Sequence, residues 1–260
     1  NLALFFALLV IAGCSDQKAP VTHKIEEPHA HPAMLVEEET TDFIQIDGPN
    51  SPGPWTNLDF YNDPQNFQFA VGTDRTGGAR PGIFEDAVTK LNLLKPEFVM
   101  SVGDLIQGYT EDVDQVNAEW EEFDSFVDNL NMPFFYVAGN HDYTNETMGK
   151  IWEERFGKPY YFFVYHNVLF LCLNSQDGGQ IHSISDKQVE WAQKVLADHP
   201  DVRWTLVFVH TPLWEESYEE ERNRKPIEEA LQGRKFTVFA GHWHRYVKNV
   251  RKDANYFTLA

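Results

Sequence analysis

An α/β fold is predicted from this sequence: two mixed β-sheets packed face to face with helices on both outer faces, a four-layer αββα sandwich. Three observations predict it. Short runs rich in Val and Phe recur along the chain and read as buried strands. Amphipathic helical patterns alternate with these runs, and a βαβα order places helices outside a sheet. Finally, Tyr160–Tyr165 and Val168–Leu173, joined through His166-Asn167, read as a hairpin, so part of the pairing is antiparallel.

Taken in order, the strand runs are Phe69-Ala70-Val71-Gly72, Phe98-Val99-Met100-Ser101-Val102, Phe134-Phe135-Tyr136-Val137-Ala138, Thr205-Leu206-Val207-Phe208-Val209 and Phe236-Thr237-Val238-Phe239-Ala240. Pro81 opens a first helix whose Ile83, Ala87, Leu91 and Leu94 line one face before Pro96 stops it. Val113, Val116, Trp120, Phe123, Val127 and Leu130 give a second, and Ser185 with Gln188 forms a capping box ahead of a third that bears Val189, Ala192 and Leu196. Phe43 to Phe67, with Trp55, Phe60 and Tyr61, reads as an irregular aromatic lead-in. The apolar run Tyr256–Leu259 shows no closing turn, so the domain, residues 43–260, is expected to be incomplete at its C-terminus.

The first 42 residues lie outside this domain. Leu2 to Ala12 is apolar without interruption, too short to span a bilayer as a helix but suited to the core of an export signal. It runs into Val10-Ile11-Ala12-Gly13-Cys14, which resembles the bacterial lipoprotein cleavage box, so residues 1–14 are read as a signal ending in a lipidated Cys14. That implies an exported protein held at a membrane, periplasmic or on the cell surface. The chain opens at Asn1 with neither Met nor a basic region, so the start of this signal is expected to be missing. Residues 15–42, rich in Pro, Glu, His and Thr, are too polar to bury a core and form a tether of roughly 30 Å. Its His23, His29 and His31 are read as solvated linker residues. Cys172, inside Leu169–Leu173, is read as a small buried thiol, and two cysteines so unlike do not make a disulfide framework.

The chain carries 40 acidic and 21 basic residues, a net charge of −19, which excludes an extended nucleic-acid surface. An anionic substrate would need local positive charge, and bound metal ions would supply it. The strand runs end in potential ligands: Asp74, Asp104, Asn140-His141, His210 and, after Gly241, His242-Trp243-His244. Polar groups at the carboxyl ends of sheet strands meet where α/β folds place their sites. Carboxylate, imidazole and amide oxygen suit ions of intermediate hardness such as Mn, Fe or Zn. The convergence points to a metal-dependent hydrolase.

Asp74, Gly103-Asp104, Gly139-Asn140-His141-Asp142, His210 and Gly241-His242-Trp243-His244, in this order after successive strands, resemble the calcineurin-like metallophosphoesterase superfamily, which includes the purple acid phosphatases. The resemblance covers Phe67 to the C-terminus. It implies two metal ions bridged by Asp104, with Asp74 and His244 on one and Asn140, His210 and His242 on the other. It implies hydrolysis of phosphomonoesters or phosphodiesters by a metal-activated hydroxide, on a small phosphorylated substrate. His141 matches the residue that protonates the leaving oxygen, and Asp142 is expected to orient an imidazole.

One position departs from the family pattern. Where the family shows Asp-x-His, this chain has Asp74-Arg75-Thr76, and Gln107 stands where purple acid phosphatases place a tyrosine. Thr76, Gln107 or water is expected to fill the place of the missing imidazole. A catalytically weak metal- or phosphate-binding module on the same fold is therefore the alternative reading. Arg75 suits either a phosphate clamp or a surface ion pair. Tyr109, Tyr143, His182 and Trp214 follow ligand-bearing strands and are read as packing.

Overall fold

The computed structural model describes residues 44–47, 52–60, 66–178, 182–215 and 223–259. The expected signal, Cys14 and the tether lie outside these. The elements in order are β1 (Ile44–Ile46), β2 (Ala70–Gly72), α1 (Ile83–Leu94), β3 (Val99–Ser101), α2 (Val113–Val127), β4 (Phe134–Phe135), α3 (Glu146–Phe156), β5 (Tyr161–Tyr165), β6 (Val168–Leu173), α4 (Asp186–Asp198), β7 (Trp204–Val209), α5 (Arg224–Ala230), β8 (Phe236–Ala240), β9 (Val247–Arg251) and β10 (Ala254–Thr258). No helix among the described residues is long and apolar enough to cross a membrane.

Two sheets form, as expected. The larger has the order β1-β5-β6-β7-β8-β10-β9 and is mixed, with the β5–β6 hairpin antiparallel and β6, β7 and β8 parallel. The smaller, β2-β3-β4, pairs in parallel, and the lead-in adds an antiparallel bridge from Trp55 to Phe135 at its edge. Alternation along each strand assigns its two faces to different layers. Phe69, Val71, Phe98, Met100 and Phe135 meet Phe163, Phe170, Phe208, Phe239 and Phe257 between the sheets. Ala70, Val99 and Phe134 face α2 and α3, while Leu169, Leu171, Val207, Val209 and Val238 face α4 and α5. That is the four-layer order.

In the middle layer one ring from each of five strands stacks on the next. Phe163, Phe170, Phe208, Phe239 and Phe257 have successive centroids 4.5, 6.0, 5.1 and 5.5 Å apart, with interplanar angles of 6°, 9°, 20° and 13°. The ladder spans β5, β6, β7, β8 and β10 and ties strands far apart in sequence into one slab.

Ile44–Ile46, read within an irregular lead-in, instead forms β1 and pairs antiparallel with β5, because Ile44 and Ile46 pack on the core between the sheets, and β9 lies where no strand was expected. Three further details differ from the expectation. In α1 the buried residue is Val88, with Phe84 and Leu91 packed beside it, while Leu94 is 48% exposed. The stripe is rotated because Phe84 docks on Phe123 and Phe126 of α2. At α4, Ser185 caps the Gln188 N–H, but the Gln188 amide turns to the Asn174 backbone and Asp177 accepts the Ser185 N–H in its place. Helix α3, capped by Asn145, fell in a stretch whose pattern named no helix. Cys172 is buried as read, and burial pushes its thiol pKa up.

Candidate metal centre

The predicted ligands converge. Backbone at the ends of β2 and β3 is stitched together, with the Arg75 and Thr76 N–H groups donating to the Asp104 carbonyl at 3.0 and 3.1 Å. Gly103 and Gly139 then let two loops touch: a Cβ on Gly103 would lie 2.7 Å from the Gly139 backbone, and one on Gly139 would lie 2.3 Å from Asp104 Oδ1. Asp104, Tyr109, His242 and His244 all adopt left-handed backbone, an unfavourable choice for residues with a Cβ that collects at functional sites.

Two groups of ligand atoms result. Asp104, His210 and His242 form one, and Asp74, Asp104 and His244 the other, with the atoms of each group within 4.8 Å of one another. Asp104 belongs to both, as a bridging carboxylate must. His210 Nδ1 donates to the Val102 carbonyl at 2.8 Å, which fixes the tautomer and leaves Nε2 facing the cluster. There Nε2 lies 2.7 Å from Asn140 Oδ1, 3.2 Å from His242 Nδ1 and 3.3 Å from Asp104 Oδ1. The Asn140 amide is itself held, because its Nδ2 donates to the Tyr109 hydroxyl at 2.7 Å and turns Oδ1 inward. Four lone-pair atoms aimed at one point repel unless a proton or a cation lies among them, so the donor set fits a metal ion.

The electrostatics call for positive charge at that point. Burial opposes both charges of the Asp104–His210 pair, yet their mutual attraction wins, holding the carboxyl down and pushing the imidazole up. Burial, with the neighbouring His210 and His182 rings, lowers His242 to about 3, which leaves its ring neutral, the form metal binding requires. Asp74 completes the other group, with His244 Nε2 3.7 Å away; it also accepts the His242 N–H at 2.7 Å, coupling the two groups through the backbone.

His141 stands at the rim. Its Nδ1 donates to the Gln107 carbonyl at 2.6 Å and its backbone N–H to Asp104 Oδ1 at 2.9 Å, leaving Nε2 4.0 Å from Asp104 Oδ2 and facing the site. Asp142 does not orient an imidazole. It is fully buried, and its two oxygens accept the backbone N–H groups of Asp104, Leu105, Ile106 and Gly139, so it holds the loop that carries Asp104. The imidazoles of His210 and His141 are oriented by main-chain carbonyls instead. Thr76 and Gln107 lie together, Thr76 Oγ1 donating to Gln107 Oε1 at 2.8 Å. Arg75 is the ion pair: its guanidinium meets Glu122 and the Leu105 carbonyl and lies 4.9 Å from the Phe126 ring centroid. Of the residues read as packing, Tyr143 and Trp214 do pack, on Trp152 and Tyr256. Tyr109 and His182 do more: Tyr109 fixes Asn140 and sets its ring edge-on to His141 at 4.6 Å, and the His182 ring lies 4.6 Å from that of His242. No spacing marks these contacts in the sequence.

Residues 56–246 match the family described as calcineurin-like phosphoesterase. The chain belongs to that family. Among curated proteins it is similar to the mouse serine/threonine-protein phosphatase CPPED1, at 30% identity over 186 residues, covering 62% of this chain and 57% of that protein. It is also similar to the 3',5'-cyclic adenosine monophosphate phosphodiesterase CpdA of Escherichia coli K12, at 27% identity over 118 residues, covering 45% of this chain and 41% of that one. The chain thus spans a little over half the length of the CPPED1 relatives it matches. Among solved structures, a dimetal phosphatase from Danio rerio aligns with a TM-score of 0.58 at 16% identity, covering 74% of this chain and 86% of that one, which shows the shared fold.

Proposed function

We propose that this chain is a metal-dependent phosphoesterase that hydrolyses phosphomonoesters or phosphodiesters of a small substrate at the centre bridged by Asp104. The observation that carries the reading is the pair of ligand groups sharing that one carboxylate. Two bound ions, of the Mn, Fe or Zn class, would supply a water of lowered pKa and positive charge beside the phosphoryl oxygens. Asn140, His210 and His242 would hold one, and Asp74 and His244 the other. His141, with Nδ1 committed to the Gln107 carbonyl, presents Nε2 to protonate the leaving oxygen. Asp142 keeps Asp104 in place through backbone N–H groups.

The test is release of alcohol from aryl phosphate mono- and diesters with Mn, Fe or Zn added; no turnover with any of them sinks the reading. A second reading, a binding module that turns over little, is favoured by Thr76 and its engagement with Gln107. It predicts phosphate and metal binding without product. On either reading the ion held by Asp74 and His244 binds more weakly than its neighbour, and metal analysis showing two equally tight ions would refute that.

Export and lipid anchoring through Cys14 belong to the same proposal, supported by the apolar run Leu2–Ala12 and the cleavage-box resemblance. Cys14→Ser in the natural full-length chain would release it from the membrane fraction. Persistence there would overturn the anchor.

A further inference from the structure

The turn that carries His242, Trp243 and His244 borders two clefts, one at Trp243 and one at His244. The one that takes in Asp74 and His244 has a volume of about 560 Å³ and runs between the loop after β2 and helices α1 and α2. Its walls are of two kinds. Ile83, Phe84 and Phe126 offer apolar surface, and Arg75, Arg80, Glu85, Glu119 and Glu122 bring charge.

Most of that charge is engaged. Arg75 is spent on Glu122 and the Leu105 carbonyl, and Glu119 accepts from the Gly108 N–H and the Gln115 amide. Arg80 and Glu85 are different: both are exposed in this lining, and neither side chain makes a hydrogen bond or ion pair among the described residues, so Arg80 is the cation left to meet an anion. An arginine with a planar fork of free donors, in the same cleft as two ligands and in a chain of net charge −19, is placed to receive an anion bidentately.

Resting on the phosphoesterase reading above, we infer that this cleft binds the non-reacting part of the substrate, a compact and partly apolar group bearing a second anionic function, carboxylate or phosphate, that Arg80 engages. The scissile phosphate faces Asp74 and His244, and the organic part lies along Phe84 and Phe126. Arg80, rather than Arg75, then sets which ester is accepted.

The experiment compares kcat/KM of the metal-loaded full chain for three aryl phosphates of similar size, with a neutral ring, a ring carboxylate and a ring phosphate. Wild type should favour one or both charged esters, and which one identifies the anion. Arg80→Met should lower the ratio of charged to neutral ester about tenfold, the worth of one charge-assisted contact, with Arg80→Lys recovering part of it. A ratio unchanged in Arg80→Met overturns the inference. If wild type hydrolyses none of the three, the phosphoesterase reading fails, and calorimetric binding of the matching non-hydrolysable phosphonates decides this inference separately: equal affinity of wild type and Arg80→Met for the charged compounds overturns it, and weaker binding by the variant sustains it.

Discussion

A methyl group added at Gly77 would lie 2.5 Å from His244 Cε1, and the residue already adopts φ +77, a conformation that costs an L residue about 1–2 kcal/mol. Gly77→Ala is therefore expected to push the imidazole away from Asp74 and weaken one ion while leaving the other in place. Titration with Mn or Zn should then resolve one weakened step, and two unchanged steps would show that His244 does not depend on this close approach. Asp142 answers to a different arithmetic. Its two oxygens serve four backbone N–H groups in a fully buried setting, and an asparagine there would turn an NH2 toward donors. Asp142→Asn should cost about 3 kcal/mol of folding stability in denaturant titrations, on the scale of breaking a buried charged network. Unchanged stability together with an altered imidazole titration would restore the orienting role that its place beside His141 suggested.

Strand identity was legible because the runs of Val, Phe and Leu are buried on both faces and so carry no alternation to misread. Hydrogen-bonded pairing is shorter than the apolar runs: β4 covers only Phe134–Phe135, although the run continues to Ala138. The remainder leaves the sheet to carry Asn140 and His141 into the site. Helix α1 was found with its face turned, because two stripes of its sequence are apolar and only docking on α2 chooses between them. The aromatic ladder could not be read from spacing, since register between distant strands decides which rings meet. Phe170 sits within it, fully buried between Phe163 and Phe208. Phe170→Ala should cost about 4 kcal/mol in chemical denaturation. A loss below about 1 kcal/mol would mean that the two sheets close over the gap.

At the scale of the molecule, an acidic chain gathers Asp74, Asp104, Asn140 and three imidazoles at one end of its sheets, and a cation binding only the folded form stabilises it by mass action. Ions at about a hundredfold over their Kd contribute about 2.7 kcal/mol, which for a domain of this size raises Tm by roughly 5–10 °C. Calorimetry with chelator and then with Mn or Zn restored is expected to show that fall and recovery; a Tm indifferent to both would remove the metal centre as a structural element. The sequence alone determined the buried strands, the order of the candidate ligands along them and the chemistry of their donors, because residue type and apolar runs are local properties. Only the tertiary structure decided that Asp104 is shared, that Tyr109 aims Asn140, that Asp142 serves the backbone and that Arg75 is spent while Arg80 has no partner among the described residues. The contacts behind these findings join segments 30 to 168 positions apart, whose distances no local pattern encodes.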